Sequence, residues 1–68
     1  MKERKVFDFK LYRTNGACSS FVASLYNLIE RADKNNREKI RLGFPVEVEI
    51  FEEWQAAPTE KDFFNKYE

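Results

Sequence analysis

Apolar residues recur at spacings of three and four along most of the chain. The clearest run is SFVASLYNLIERAD, where Phe21, Leu25, Leu28, Ile29 and Ala32 fall at i, i+4, i+7, i+8 and i+11. That spacing places them on one stripe of an α-helix over residues 20–33, with Asn27, Glu30 and Arg31 off the stripe. Ser19 or Ser20 supplies the N-cap, because a serine oxygen can accept a bond from a free N–H of the first turn. No Glu or Gln sits at the third helical position, so the reciprocal capping box is absent.

Ala32-Asp33 ends or bends this helix. Asp33 or Asn35 can cap a short one that follows, and Asn35 with Glu38 has capping-box spacing. Ile40 and Leu42 are its apolar residues. Gly43 is placed to act as a left-handed helix stop, with Phe44 folding back and Pro45 preventing continuation. Pro45 also suits the first turn of a new helix, where its missing N–H is not needed. In that segment Val46, Ile50, Phe51 and Trp54 share a helical face, Glu47 and Glu49 favour the positive end of the helix dipole, and Pro58 ends the run. Thr59 caps a last short helix, with Asp62 three residues on, and Phe63 and Tyr67 share its face at i and i+4.

Two stretches carry a competing strand pattern. In KVFDFKLYR, residues 5–13, Phe7, Phe9 and Leu11 alternate with Asp8 and Lys10, yet Val6, Phe7, Phe9 and Leu11 also fit a helical face. VEVEI, residues 46–50, alternates β-branched residues with Glu. The predicted fold is therefore all-α, a bundle of four helices or five if residues 5–13 are helical. The alternative is an α+β domain with short strands at 5–13 and 46–51. Thr14-Asn15-Gly16 supplies a turn after the first element, since Asn and Gly tolerate positive φ.

Length and chemistry narrow this further. The 68 residues make one domain near the lower size limit for independent folding. A single cysteine, Cys18, excludes an intramolecular disulfide, and the absence of histidine excludes an ordinary tetrahedral zinc site. No Asp-x-Asp-x-Asp-Gly calcium loop is present, and no cofactor is implied. Such a chain needs a dense apolar core or a partner subunit. Seven Phe, three Tyr and one Trp can serve either purpose.

Charge is balanced overall but segregated: residues 1–13 carry a net +3, residues 14–43 a net +2 and residues 44–68 a net −5. This fits internal pairing between the two ends of the domain, or an oriented contact between molecules. No apolar run reaches spanning length and no signal-peptide core follows the basic N-terminus, so a cytoplasmic location is expected.

Residues 32–54, ADKNNREKIRLGFPVEVEIFEEW, complete a recurrent pattern. The chain resembles a group of short, mostly uncharacterised proteins of phages and integrated mobile elements. Those proteins carry Gly-Ser-Phe or similar, then a helix, then Ala-Asp-x-x-Asn-x-x-Lys-Leu-x-x-Gly-Phe-Pro before an acidic helix with a late aromatic; here Cys18-Ser19 is interposed after the glycine region. Ala32, Asp33, Asn36, Lys39, Gly43, Phe44, Pro45 and Trp54 match, Ile40 stands for the Leu, and Ser20-Phe21 stands for the upstream pair. The likeness covers residues 16–54 and leaves 55–68 uncovered. It implies helix through 46–54 and an origin in a phage or mobile element, hence the cytoplasm of a bacterial host. It implies no activity.

Three functional readings follow. Catalysis is the weakest: there is no histidine base and no Gly-rich phosphate loop, and Cys18, though just before a helix N-terminus, has no base partner. Glu52-Glu53 and Glu60/Asp62 read as solvated faces. Nucleic-acid binding rests on Lys34, Arg37 and Arg41 at i, i+3 and i+7, with Arg31 just before them and Tyr12 or Tyr26 as stacking surfaces. Against it stand zero net charge and an acidic C-terminal third. Protein interaction is favoured, either with another protein or as a homo-oligomer, through Trp54, Phe63, Phe64 and Tyr67 as anchors.

Overall fold

A computed structural model describes residues 2–14, 16 and 19–67. It contains five helices in the order α1 (Lys2–Thr14), α2 (Ser20–Arg31), α3 (Lys34–Gly43), α4 (Pro45–Ala56) and α5 (Glu60–Asn65). Both strand-like stretches are helical, so the five-helix all-α reading holds and the α+β alternative falls.

The reason lies in what each helix buries. In α1, Val6 and Phe9 go inward while Phe7 stays 57% exposed, which breaks the period-two pattern. In α4, Val48, Ile50 and Phe51 are all buried and Val46 packs against the same cluster. A helix with apolar residues on more than one side needs neighbours on more than one side, and α4 contacts α1, α2, α3 and α5. The alternating VEVEI is thus the signature of a central helix. Its glutamates, Glu47 and Glu49, meet Lys5 and Lys2 of α1.

Helix ends follow the chemistry of the capping residues. The Ser19 and Thr59 hydroxyls accept from the N–H groups of Val22 (3.2 Å) and Asp62 (3.1 Å), and the Asp33 carboxylate accepts from Asn36 at 2.8 Å. Asp33, not Asn35, is therefore the cap of α3, and Asn35 lies within the helix. Gly43 differs from expectation as well. It is the last residue of α3 and does not adopt a left-handed conformation; Phe44, non-helical at φ −134° and ψ 60°, serves as both C-cap of α3 and N-cap of α4, with Pro45 in the first turn. The left-handed glycine is Gly16, at φ 69°, whose N–H donates to the Leu11 carbonyl at 2.8 Å and closes the end of α1.

The buried residues form one cluster: Val6, Phe9, Leu25, Tyr26, Ile29, Val48, Ile50, Phe51, Phe63 and Phe64. Phe9 is its hub. Its ring centroid lies 4.7 Å from Tyr26, 5.6 Å from Trp54, 6.1 Å from Tyr12, and 6.2 Å from both Phe63 and Phe64. Tilted and edge-on pairs of this kind add to the area they bury. Of the aromatic residues only Phe7 and Phe21 stand exposed. The aromatic surplus is therefore mostly core, not a surface awaiting a partner. The Cα radius of gyration, 11.4 Å, is close to the roughly 11 Å expected of a compact chain this long.

Candidate interaction surface

The four C-terminal anchor candidates converge where α1, α4 and α5 meet, and they close that end of the core. Phe63 and Phe64 are 2% and 7% exposed. Trp54 is half-buried and held on three sides: its indole Nε1 donates to Glu60 at 3.1 Å, the Arg13 guanidinium lies over its ring at 4.4 Å, and Phe9 meets it edge-on. Tyr67 packs its ring on Phe63 at 5.3 Å and donates its hydroxyl to the Glu53 carboxylate. That hydroxyl, and then the Lys2 ammonium, hold the Glu53 carboxyl below its ordinary range, because each favours the ionised form. As surface anchors, Phe63 and Phe64 are corrected: reaching them requires lifting α5 off the core.

The segregated charge resolves as internal pairing. Lys2 bridges Glu49 (2.7 Å) and Glu53 (3.1 Å), Lys5 pairs with Glu47 at 2.6 Å, and Arg13 pairs with Glu60 at 3.2 Å. The basic first helix is thereby laid along the acidic faces of α4 and α5. An oriented contact between molecules is not needed to account for the pattern.

The basic stripe is only partly available. Arg41 is held by Glu38 at 2.9 Å and Glu52 at 2.7 Å, and the Arg37 guanidinium lies 5.1 Å over the buried ring of Phe51. Arg31 and Lys34 are exposed. Of the stacking candidates, Tyr26 is 1% exposed and Tyr12 is stacked on it with centroids 5.8 Å apart, so Tyr26 is core and presents no face to a base. Cys18 lies outside the described residues. Among the described residues no cluster of Asp and Glu comes together as a metal site.

The surface that does stand open was not singled out from sequence. On α2, Val22, Leu25, Tyr26 and Ile29 turn inward, which leaves Phe21 62% and Leu28 54% exposed, about two helical turns apart. Across from them runs an apolar line on α3 and its end: the Phe44 ring lies 5.9 Å from Phe21, and Ile40 faces Leu28 across an open cleft of about 410 Å³. Arg31, Lys39 and Asn36 line that cleft with them. Each of the two helices rests on α4 more than on the other, so a furrow is left between them. The signal was present in the sequence as a stripe on 20–33 too wide for one neighbour to cover. Val22 and Tyr26 extended it past Phe21 and Leu28. Leu42, 87% exposed, lies on the outer face of α3, half a turn from Ile40.

No protein-family model, curated protein or solved structure matches this chain.

Proposed function

We propose that this chain is a small protein-interaction module encoded by a phage or mobile element, and that it binds through the furrow between α2 and α3. One observation carries the reading: Phe21 and Leu28, both more than half exposed, lie beside Phe44 and Ile40 as apolar side chains that no other described element covers. Self-association through the C-terminal aromatics has less support, since those side chains are engaged inside the monomer. A binding role is also favoured over a catalytic one by the residue set, which offers no histidine and no base for Cys18.

The test is capture from a bacterial lysate by the immobilised chain, with Phe21→Ser/Leu28→Ser as the comparison. Both positions are exposed, so the double variant keeps its helical circular dichroism. Wild type is expected to retain a protein that the variant loses. Equal retention by both, or none by either, refutes the reading. Nucleic-acid binding is the second reading, supported by the exposed Arg31, Lys34 and Lys39. It predicts a mobility shift at low salt that disappears steeply as salt rises.

A further inference from the structure

The furrow is bounded by α2 and α3, which both rest on α4. From Phe21 to Arg31 it runs ten residues, about 15 Å at 1.5 Å per residue, the length of roughly three helical turns. Phe21 meets Phe44 at one end, in a hollow that Lys5, Asp8 and Glu47 also line, and Leu28 meets Ile40 at the other; the seven-residue spacing of Phe21 and Leu28 matches side chains at i and i+7 on an incoming helix. The rim at the Leu28–Ile40 end is positive. Arg31 and Lys39 line the cleft, Lys34 lies on the same helix as Lys39, and none of the three has an ion pair among the described residues.

Lys2, Lys5 and Arg13 are matched to Glu49, Glu53, Glu47 and Glu60, and Arg41 to Glu38 and Glu52. A second copy of this chain therefore has its acidic α4 face already neutralised and is a poor complement to Arg31 and Lys39. A nucleic acid would meet an apolar floor, with Arg37 and Arg41 of the original stripe turned to Phe51 and Glu52. We infer that the α2–α3 furrow docks an acidic amphipathic helix of a partner protein, its apolar stripe between Leu28 and Ile40 and its carboxylates on Arg31 and Lys39. This rests on the reading of the chain as an interaction module and names the chemistry of the partner.

The probe is a synthetic helical peptide with Leu at i, i+4, i+7 and i+11 and Glu at the flanking positions. Its counterpart carries Lys in place of every Glu. Each is titrated into the isotope-labelled full chain and followed by amide chemical shifts. The acidic peptide is expected to move resonances of residues 21–31 and 36–44. Arg31→Glu/Lys39→Glu should weaken it by at least about tenfold, Leu28→Ser should weaken it similarly, and Leu42→Ser should leave it unchanged. No binding by the acidic peptide, equal binding by the basic one, or shifts centred on Phe7 and Tyr67 would each overturn the inference. So would an oligothymidine that occupies Arg31 and Lys39 while the peptide does not. If a lysate protein is lost by Phe21→Ser/Leu28→Ser but kept by Arg31→Glu/Lys39→Glu, the interaction module stands and the acidic partner falls.

Discussion

Phe9→Ala is the sharpest test of how this short chain stays folded. Phe9 is 0% exposed and touches five other rings, from α1, α2, α4 and α5. Removing a buried phenyl ring typically destabilises by about 3–5 kcal/mol, through lost transfer free energy and the cavity left behind. Lost ring–ring pairing, about 0.5–1.5 kcal/mol per pair and not additive, pushes the value toward the upper end. The whole domain has roughly 3–10 kcal/mol to lose, at about 0.05–0.15 kcal/mol per residue. The variant is thus expected to be largely unfolded at 25 °C, or to melt tens of degrees below wild type. Phe9→Leu, which keeps most of the volume, should lose only about 1–1.5 kcal/mol. Urea titration followed by both far-ultraviolet circular dichroism and Trp54 fluorescence measures this, and Trp54 reports directly because its ring meets Phe9. A loss below about 1 kcal/mol for Phe9→Ala, with an unchanged urea slope, would show that the aromatic hub is not what holds the helices together.

Other outcomes follow from local geometry. Gly16→Ala should destabilise by roughly 1 kcal/mol, since a Cβ meets nothing but is forced to φ 69°. Gly43→Ala should do the opposite, by about 0.4–1 kcal/mol, because Gly43 is helical with open space at its Cβ; equal signs in chemical denaturation would contradict this. Asp33→Ala removes the cap of α3 and should lower stability by about 1 kcal/mol, with faster amide exchange in the first turn of that helix. The Glu53 carboxyl, held below its ordinary value of 4.5 by the Tyr67 hydroxyl and then by Lys2, binds a proton less readily folded than unfolded. Its contribution is therefore complete above about pH 5 and lost as the pH falls through the depressed folded value. Melting temperature should drop below pH 4.5, and Glu53→Gln should flatten part of that drop.

The helices were largely legible because their boundaries are written in short-range chemistry. Ser19, Asp33, Pro45, Pro58 and Thr59 act on the next three or four residues, so no distant partner had to be known. Residues 5–13 were ambiguous because only long-range packing, Phe9 inside and Phe7 outside, separates the two periods. Gly43 misled for a related reason. A glycine before Phe-Pro reads as a left-handed stop, yet the chain turns at Phe44 instead. The aromatics near the C-terminus drew attention as surface anchors because exposure is invisible in sequence; the arrangement around Phe9 decides it. Conversely, the exposure of Phe21 and Leu28 was not legible, because a stripe says which residues share a face and not how many neighbours arrive to cover it.

The ion pairs between α1 and the acidic helices also bear on how the chain acquires its fold. Lys2 reaches Glu53 across 51 residues of sequence, and Tyr67 reaches the same carboxylate from the other direction. During synthesis α1 is made well before any of its acidic partners. At roughly 5–20 residues per second that interval is of order seconds. For that time Val6 and Phe9 have nothing to pack on but α2. The hairpin of α1 and α2 is then a waiting structure, with its aromatic side open until α4 arrives. Crowded chains or a chaperone would meet that open side first, so yield in the cell should be sensitive to translation speed between Gly16 and Glu53, even where the finished fold is unchanged.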